Sequence, residues 1–185
     1  MNSARWLLSV FVLCAAAAVQ AAEWRMDRAA SRLEFQASYQ GEPVPGAFRE
    51  FETKLRFDPV RPADGRLEVL IKIPSVDFGS AEINEAVREP EWFDVKRFAE
   101  ASFVSSRIEA TGPGRYVAHG TLTLKGVKQS VAVPFEWRAS GKSATMKGEV
   151  TLKRTAFGIG TGEWESGDLI GLDVKVLFDV ALQGG

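Results

Sequence analysis

Stretch after stretch of this chain alternates apolar and polar side chains with a period of two, and no other feature restricts its fold as much. In RLEVLIKIP, Leu67, Val69, Ile71 and Ile73 share one face while Arg66, Glu68 and Lys72 occupy the other. YVAHGTLTL sets Tyr116, Ala118, Gly120, Leu122 and Leu124 against Val117, His119, Thr121 and Thr123. SVAVPFEW places Val131, Val133, Phe135 and Trp137 together, and ATMKGEVTLK does the same for Ala144, Met146, Gly148, Val150 and Leu152. LDVKVLFDVAL closes the chain with Leu172, Val174, Val176, Phe178, Val180 and Leu182 on one side. Such alternation marks strands buried on one face only. Three earlier segments, Arg32–Tyr39, Glu50–Asp58 and Ala99–Ala110, bring the main strands to eight, with a further short one at EWRMD.

The connections DPVRPADG, TGPG and KGVK carry turn residues and are short, so sequential strands are expected to be antiparallel neighbours. One segment, Ser80 to Phe98, breaks the alternation. Ser80 suits an N-cap, Glu82 to Val87 suits a short helix, and Pro90 should end it. Trp92, Phe93, Val95 and Phe98 then form an apolar cluster that reads as a plug lying across one end of a sheet. The predicted fold is all-β: an eight-stranded antiparallel barrel with one short helix and aromatic insertion near residues 80–98. A sandwich is the rival that periodicity alone leaves open. The small inward residues Ala118, Gly120, Ala144 and Gly148 indicate either a partly hollow interior or room made for large neighbours such as Trp137.

The N-terminus, MNSARWLLSVFVLCAAAAVQAAEW, has the three parts of a secretory signal. Arg5 precedes an apolar run from Trp6 to Val19, and small residues follow at Val19–Ala21. Residues 1–21 are expected to be removed by cleavage near Ala21, leaving 22–185 as one domain in the periplasm or outside the cell. The single cysteine, Cys14, lies inside the signal, and Val12 and Leu13 before it do not suit a lipidation site. The mature chain therefore has no disulfide, thiolate nucleophile or zinc–cysteine site. Lys and Arg number 23 against 24 Asp and Glu, which is no basic face for nucleic acid.

The catalytic inventory is poor. His119, the sole histidine, falls on the polar face of its strand, and no G-x-S-x-G occurs. The carboxylates lack calcium-loop spacing, so no metal site and no cofactor are expected. Glu163, Glu165 and Asp168 read as a hydrated loop end rather than a general acid–base pair. Gly158, Gly160, Gly162 and Gly167 sit within RTAFGIGTGEWESGD, yet a strand follows and not a helix, which excludes a dinucleotide loop. The run is read as the flexible connection between the last two strands, with Gly158 letting Arg154 and Phe157 turn towards the barrel opening. Aromatics are plentiful beside turns, among them Phe48, Phe51, Phe57, Phe78, Phe98 and Phe103, as an apolar ligand mouth requires.

Three motifs occur in order: Pro90-Glu91-Trp92-Phe93-Asp94-Val95, the Gly120–Val127 hairpin GTLTLKGV, and Arg154 with Phe157-Gly158-Ile159. With them the chain resembles the YceI-like family of secreted, lipocalin-like proteins from about Trp24 to its end. The resemblance implies a long apolar tunnel that binds polyisoprenoid, quinone-like or other long amphiphilic lipids, without enzymatic activity. The sequence departs from the family's polar positions: Ala30 stands where Asp27-Arg28-Ala29-Ala30-Ser31 should carry histidine, and the helix reads Ile83-Asn84-Glu85-Ala86-Val87. A quinone-like or fatty-acid-like head group is then favoured over a pyrophosphate. Candidate ligand contacts are Phe48, Phe51, Phe78, Trp92, Phe93, Phe103, Phe157 and Trp164. Asn84 joins them, and Arg88 and Arg154 are candidate head-group donors whose alternative is ion pairing at the surface. A second reading is a non-catalytic interaction module, an accessory of a membrane redox system of the b-type cytochrome kind, docking through the aromatic plug. Transient membrane contact belongs to either reading, and the oligomeric state, a homodimer included, is left open.

Overall fold

The computed structural model describes residues 22–185. The signal-peptide reading, with Cys14 and cleavage near Ala21, lies outside the described residues. The strands are β1 Ala22–Tyr39, β2 Glu42–Phe48, β3 Phe51–Phe57, β4 Arg66–Lys72, β5 Val76–Asp77, β6 Glu100–Gly112, β7 Arg115–Leu124, β8 Val127–Ser140, β9 Ser143–Lys153 and β10 Asp173–Gly184. One α-helix, α1 at Ala81–Ala86, stands between β5 and β6. The sheet order is β10-β9-β8-β7-β6-β4-β3-β1-β2-β5, and pairing of β10 with β1 closes it. The architecture is thus a closed barrel, and the sandwich is excluded.

Ten strand segments make eight barrel staves because two staves are bent. β1 pairs with β3 through Ala22–Arg25 and with β2 through Glu34–Tyr39, so β2 and β3 run beside it as one interrupted strand. Likewise β4 pairs with β3, and β5, after a 3₁₀ turn at Ile73–Ser75, pairs with β2. β2 is absent from the sequence reading because Pro43 and Pro45 argue against a strand. They are tolerated where β2 has a neighbour on one side: β5 reaches only Ala47 and Phe48. β1 bulges between Asp27 and Arg32, where Asp27 Oδ1 accepts the N–H groups of Ala29 (3.0 Å) and Ala30 (3.3 Å). β6 shifts register between Ser105 and Arg107, which moves its inward set from Ala101, Phe103 and Ser105 to Ile108.

At one end the bore is solid. Phe57 packs edge-to-face on Tyr116 (centroids 4.9 Å apart) and Trp137 (5.1 Å), and Trp137 on Trp24 (5.0 Å). Phe135 stacks on Tyr116 at 5.5 Å. Phe57, Ile108 and Leu182 are fully buried in this cluster. Ala118 and Ala144 are buried in this packed cluster. The small inward residues therefore make room for large neighbours instead of hollowing the barrel. A Cβ on Gly148 would collide with the Pro134 carbonyl and the Phe178 ring, and one on Gly120 would meet Phe103 Cζ at 2.8 Å. Gly148→Ala is expected to destabilise the fold by about 1–3 kcal/mol through overpacking, measurable as a lowered denaturation midpoint.

α1 forms as its sequence dictates. Ser80 is extended and its hydroxyl accepts the N–H of Ile83 at 3.4 Å. The helix ends at Ala86, and turns carry the chain through Pro90 to the aromatic cluster.

Candidate functional site

Above the aromatic layer the staves enclose a cavity of about 610 Å³. Leu33, Leu67, Met146 and Val180 line its inner end, next to the packed rings. Its walls are the alternating inward residues read from the sequence, such as Val69 and Ile71 on β4, Val131 and Val133 on β8, and Val176 on β10. The aromatic layer stops this bore, so the tunnel implied by the resemblance is here a well closed at one end. Phe57, Tyr116, Phe135 and Trp137 interlock where a through-channel would have to pass.

Most of the candidate residues meet in this well. Phe51, Phe103 and Phe157 are buried in its wall, while Phe48, Phe78, Trp92, Phe93 and Trp164 surround its mouth. The rings contact one another: Phe48 lies 6.1 Å from Phe93 and 5.3 Å from Phe35, and Trp92 lies 5.8 Å from Trp164. The plug aromatics Trp92 and Phe93 line the cavity, which takes them from the outward docking face of the second reading. Phe35 was missed, although it sits in phase with Leu33 on β1 and covers Gly46. Glu82, Ile83, Ala86 and Val87 also line the mouth. Their spacing is one face of a helix, a signal present in the sequence but obscured by the shortness of α1.

Two candidates fall outside the lining. Asn84 accepts the N–H of Phe78 through Oδ1 (2.8 Å) and donates from Nδ2 to Asp77 Oδ1 (3.2 Å). These bonds hold the loop before α1. Asp77 also accepts from the Gly79 N–H and the Arg49 guanidinium, and these contacts hold its carboxyl down at about 2. The clasp is therefore charged at all ordinary pH, and its contribution is lost only as pH falls below the normal carboxylate range towards that value. Arg88 donates to Glu85 Oε1 (2.9 Å) and to the Pro74 carbonyl (3.0 Å), turned away from the well. This is the surface pairing that stood as its alternative.

Arg154 corrects both readings made of it. It is 4% exposed and lies at the well, yet its guanidinium neither pairs with a carboxylate nor presents a free donor. Nε donates to the Gly171 carbonyl (2.9 Å), Nη1 to Ile159 and Gly160 (2.9 Å each), and Nη2 to Ile170 (2.8 Å) and Trp164. These five bonds match the five N–H groups of an arginine. Burial pushes the guanidinium below its ordinary pKa. Its charge also sits over Trp92, 5.8 Å from the ring centroid. Arg154 is the organiser of the glycine loop, bending residues 159–171 around one planar fork.

A second cation joins that loop to the plug. Lys125 Nζ donates to the Pro90 carbonyl (2.7 Å) and the Gly158 carbonyl (2.6 Å), and burial lowers its pKa. The Glu91 carbonyl accepts the N–H groups of Gly160 (2.8 Å) and Thr161 (3.1 Å). Lys125 and Gly126 have φ of 49° and 75°, the paired positive values of a tight hairpin turn. The glycine run is thus a lip, held and not loose. Gly158 is left-handed at φ 65°, as expected for the turn after Phe157.

The rim outside this lip is apolar and acidic. Tyr39, Ile83 and Leu169 are 47%, 40% and 44% exposed. Glu82 lines the mouth, and Glu163, Glu165 and Asp168 are exposed on the loop that carries Trp164 and Leu169. His119 is on the outer face, 3.1 Å from Glu109 Oε2. Ala30, the lost histidine position, is exposed on the β1 bulge and does not border the well.

A closed antiparallel barrel with one apolar, blind-ended well defines a lipocalin-like binding barrel. The chain belongs to the YceI-like family: the YceI-like domain profile matches residues 24–182. A UPF0312 protein of Shewanella baltica strain OS185 is 30% identical over 165 residues, spanning 83% of this chain and 86% of that one. Among solved structures, BcnA of Burkholderia cenocepacia superposes with a TM-score of 0.82 at 34% identity, covering 84% of this chain and 98% of that one. A polyisoprenoid binding domain from Saccharophagus degradans, implicated in plant cell wall breakdown, shares the fold with a TM-score of 0.70 at 15% identity, over 88% and 98% of the two chains.

Proposed function

We propose that this protein is a periplasmic carrier that holds one long-chain amphiphilic lipid in its well and does no chemistry on it. The observation that carries the reading is the lining: below the mouth it is apolar on every stave except at Thr53. Each CH₂ moved from water into such a site contributes roughly 0.8 kcal/mol, so chain length alone supplies affinity. The periplasmic location rests on the signal-like N-terminus. The polyisoprenoid chain comes from the family and from the Saccharophagus domain of the same fold.

The head group is uncharged in this reading. Arg154 has no donor left for a phosphate, and Arg88 points elsewhere. Glu82 at the mouth and the carboxylates of the lip repel an anion, which favours a quinone-like molecule over a fatty acid or prenyl phosphate. A membrane or redox partner would meet the exposed rim of Tyr39, Ile83 and Leu169.

Solvent extraction and mass spectrometry of protein purified from its own host should yield a long-chain neutral lipid at up to one per barrel. Val133→Trp, which fills the well from β8, should abolish that lipid while leaving the β-rich circular dichroism unchanged. An empty wild-type barrel that also takes up no quinone, prenyl alcohol or fatty acid in vitro would overturn the proposal.

A further inference from the structure

The barrel wall is not laced by backbone pairing over its whole height. β8 pairs with β9 only from Ser140–Ser143, beside their hairpin turn, to Glu136–Lys147. Beyond that point residues 127–135 pair with β7 alone and residues 148–153 with β10 alone. The cause is one residue. The hairpin closes through Gly141 and Lys142, so the even-numbered residues of β8 turn their N–H and C=O groups towards β9. After Glu136 the next of these is Pro134, which has no N–H to donate. The ladder stops there, and Ser130 and Ala132 on one bank and Thr151 and Lys153 on the other enter no β8–β9 pair.

This seam runs along the well. Val131 and Val133 on its β8 bank and Val150 and Leu152 on its β9 bank line the cavity. At its lower end the Pro134 carbonyl crowds Gly148. Its upper end is crossed by Gln129, whose Nε2 donates to the Ala156 carbonyl (3.1 Å) in the 3₁₀ turn Arg154–Phe157 at the base of the lip. Along its middle the outward residues Ser130, Ala132 and Thr151 are exposed and uncharged. The wall has a second break, where β1 leaves β3 after Arg25–Lys54. That one is lined by Arg25, Arg28, Glu52 and Lys54, with Arg28 3.7 Å from Glu52, and charged groups that would have to lose water bar a hydrocarbon.

We propose that the seam between β8 and β9 is a slot through which the lipid chain passes sideways into and out of the well, with Gln129 as its latch. The inference rests on the lipid-carrier reading and adds to it the route. The floor of the well is packed, and its mouth is bordered by a lip that Arg154 and Lys125 pin. A chain threaded end-on must slide its whole length past that lip. A slot continuous with the mouth admits it broadside once the side chains of the two banks part, and no ladder pair has to break.

The test follows uptake and release of retinol, an uncharged isoprenoid alcohol whose fluorescence rises in an apolar site, by stopped flow. Pro134→Val supplies the missing N–H and lets the two strands zip, so both rates should fall about five- to tenfold with Kd within about twofold. Gln129→Ala opens the latch and should raise both rates roughly threefold. Amide exchange followed by NMR reads the seam without a lipid. In the wild type, Ser130, Ala132 and Thr151 should exchange at least about tenfold faster than Val131, Val133, Val150 and Leu152, whose N–H groups turn to β7 and β10. Pro134→Val should remove that alternation; if it does not fold, Gln129→Ala and the wild-type pattern decide. Rates unchanged in either folded variant, evenly protected wild-type amides, or faster retinol release in Trp164→Ala alone would overturn the slot and leave the carrier reading intact. A wild type that binds no retinol would overturn the two together.

Discussion

Arg154→Ala is expected to destabilise the protein by about 3 kcal/mol, seen as a fall of roughly 6–12 °C in Tm for a domain of this size. The reason is the number of carbonyls that one side chain satisfies. Ile159, Gly160, Trp164, Ile170 and Gly171 all point their oxygens at the guanidinium. Those oxygens belong to a lip with few strand pairings of its own, so nothing else in the segment replaces the donors. Removing a hydrogen-bonding partner from a buried site leaves the desolvation penalty of the groups behind. Hydrogen exchange should accelerate in residues 158–171 through local opening, and in the barrel staves only at amides that exchange through global unfolding. Arg154→Lys should recover only part of the loss, since an ammonium offers three donors from one point and not a planar fork of five. Global unfolding in place of a local loss would show that the lip and barrel form one cooperative unit.

Phe57→Ala should carry a comparable or larger penalty and also change the chain length the well prefers. Phe57 is 0% exposed and touches three rings edge-on or nearly so, Tyr116, Phe135 and Trp137. Truncating such a residue costs about 3–5 kcal/mol from lost transfer energy and the residual cavity. The void opens beneath the floor of the well, where Leu33, Leu67 and Met146 now end it. The surviving protein should therefore shift its preference among linear alcohols towards longer chains, read by dye displacement at a temperature below its new Tm. An unchanged chain-length optimum would mean that neighbouring rings collapse into the space.

Particular residues show how far local pattern reached. Val69, Ile71, Val131, Val133 and Val176 were legible as cavity walls because inward and outward positions alternate strictly along a strand. Ser80 was legible as a cap because its chemistry is local to four residues. β2 was not legible: Pro43 and Pro45 forbid a central strand, and only the tertiary pairing shows that this stretch lies beside β1 with most of its other edge free. The partners of Arg88, Asn84 and Arg154 were not legible, for a shared reason. A polar side chain in a sequence does not announce whether its partner is a ligand, a neighbouring side chain or a distant carbonyl. The partners of Arg154 lie up to seventeen residues away.

The sequence by itself determined the all-β class, the interrupting helix, the inventory of aromatic and aliphatic lining residues and the family, since each follows from periodicity or from contiguous motifs. Tertiary structure alone decided that the bore is a well and that the glycine run is a lip pinned by Arg154 and Lys125. Closing a sheet brings residues far apart in the chain to the same depth. Whether Phe57, Tyr116, Phe135 and Trp137 interlock or leave a channel depends on barrel register, to which a period of two is blind.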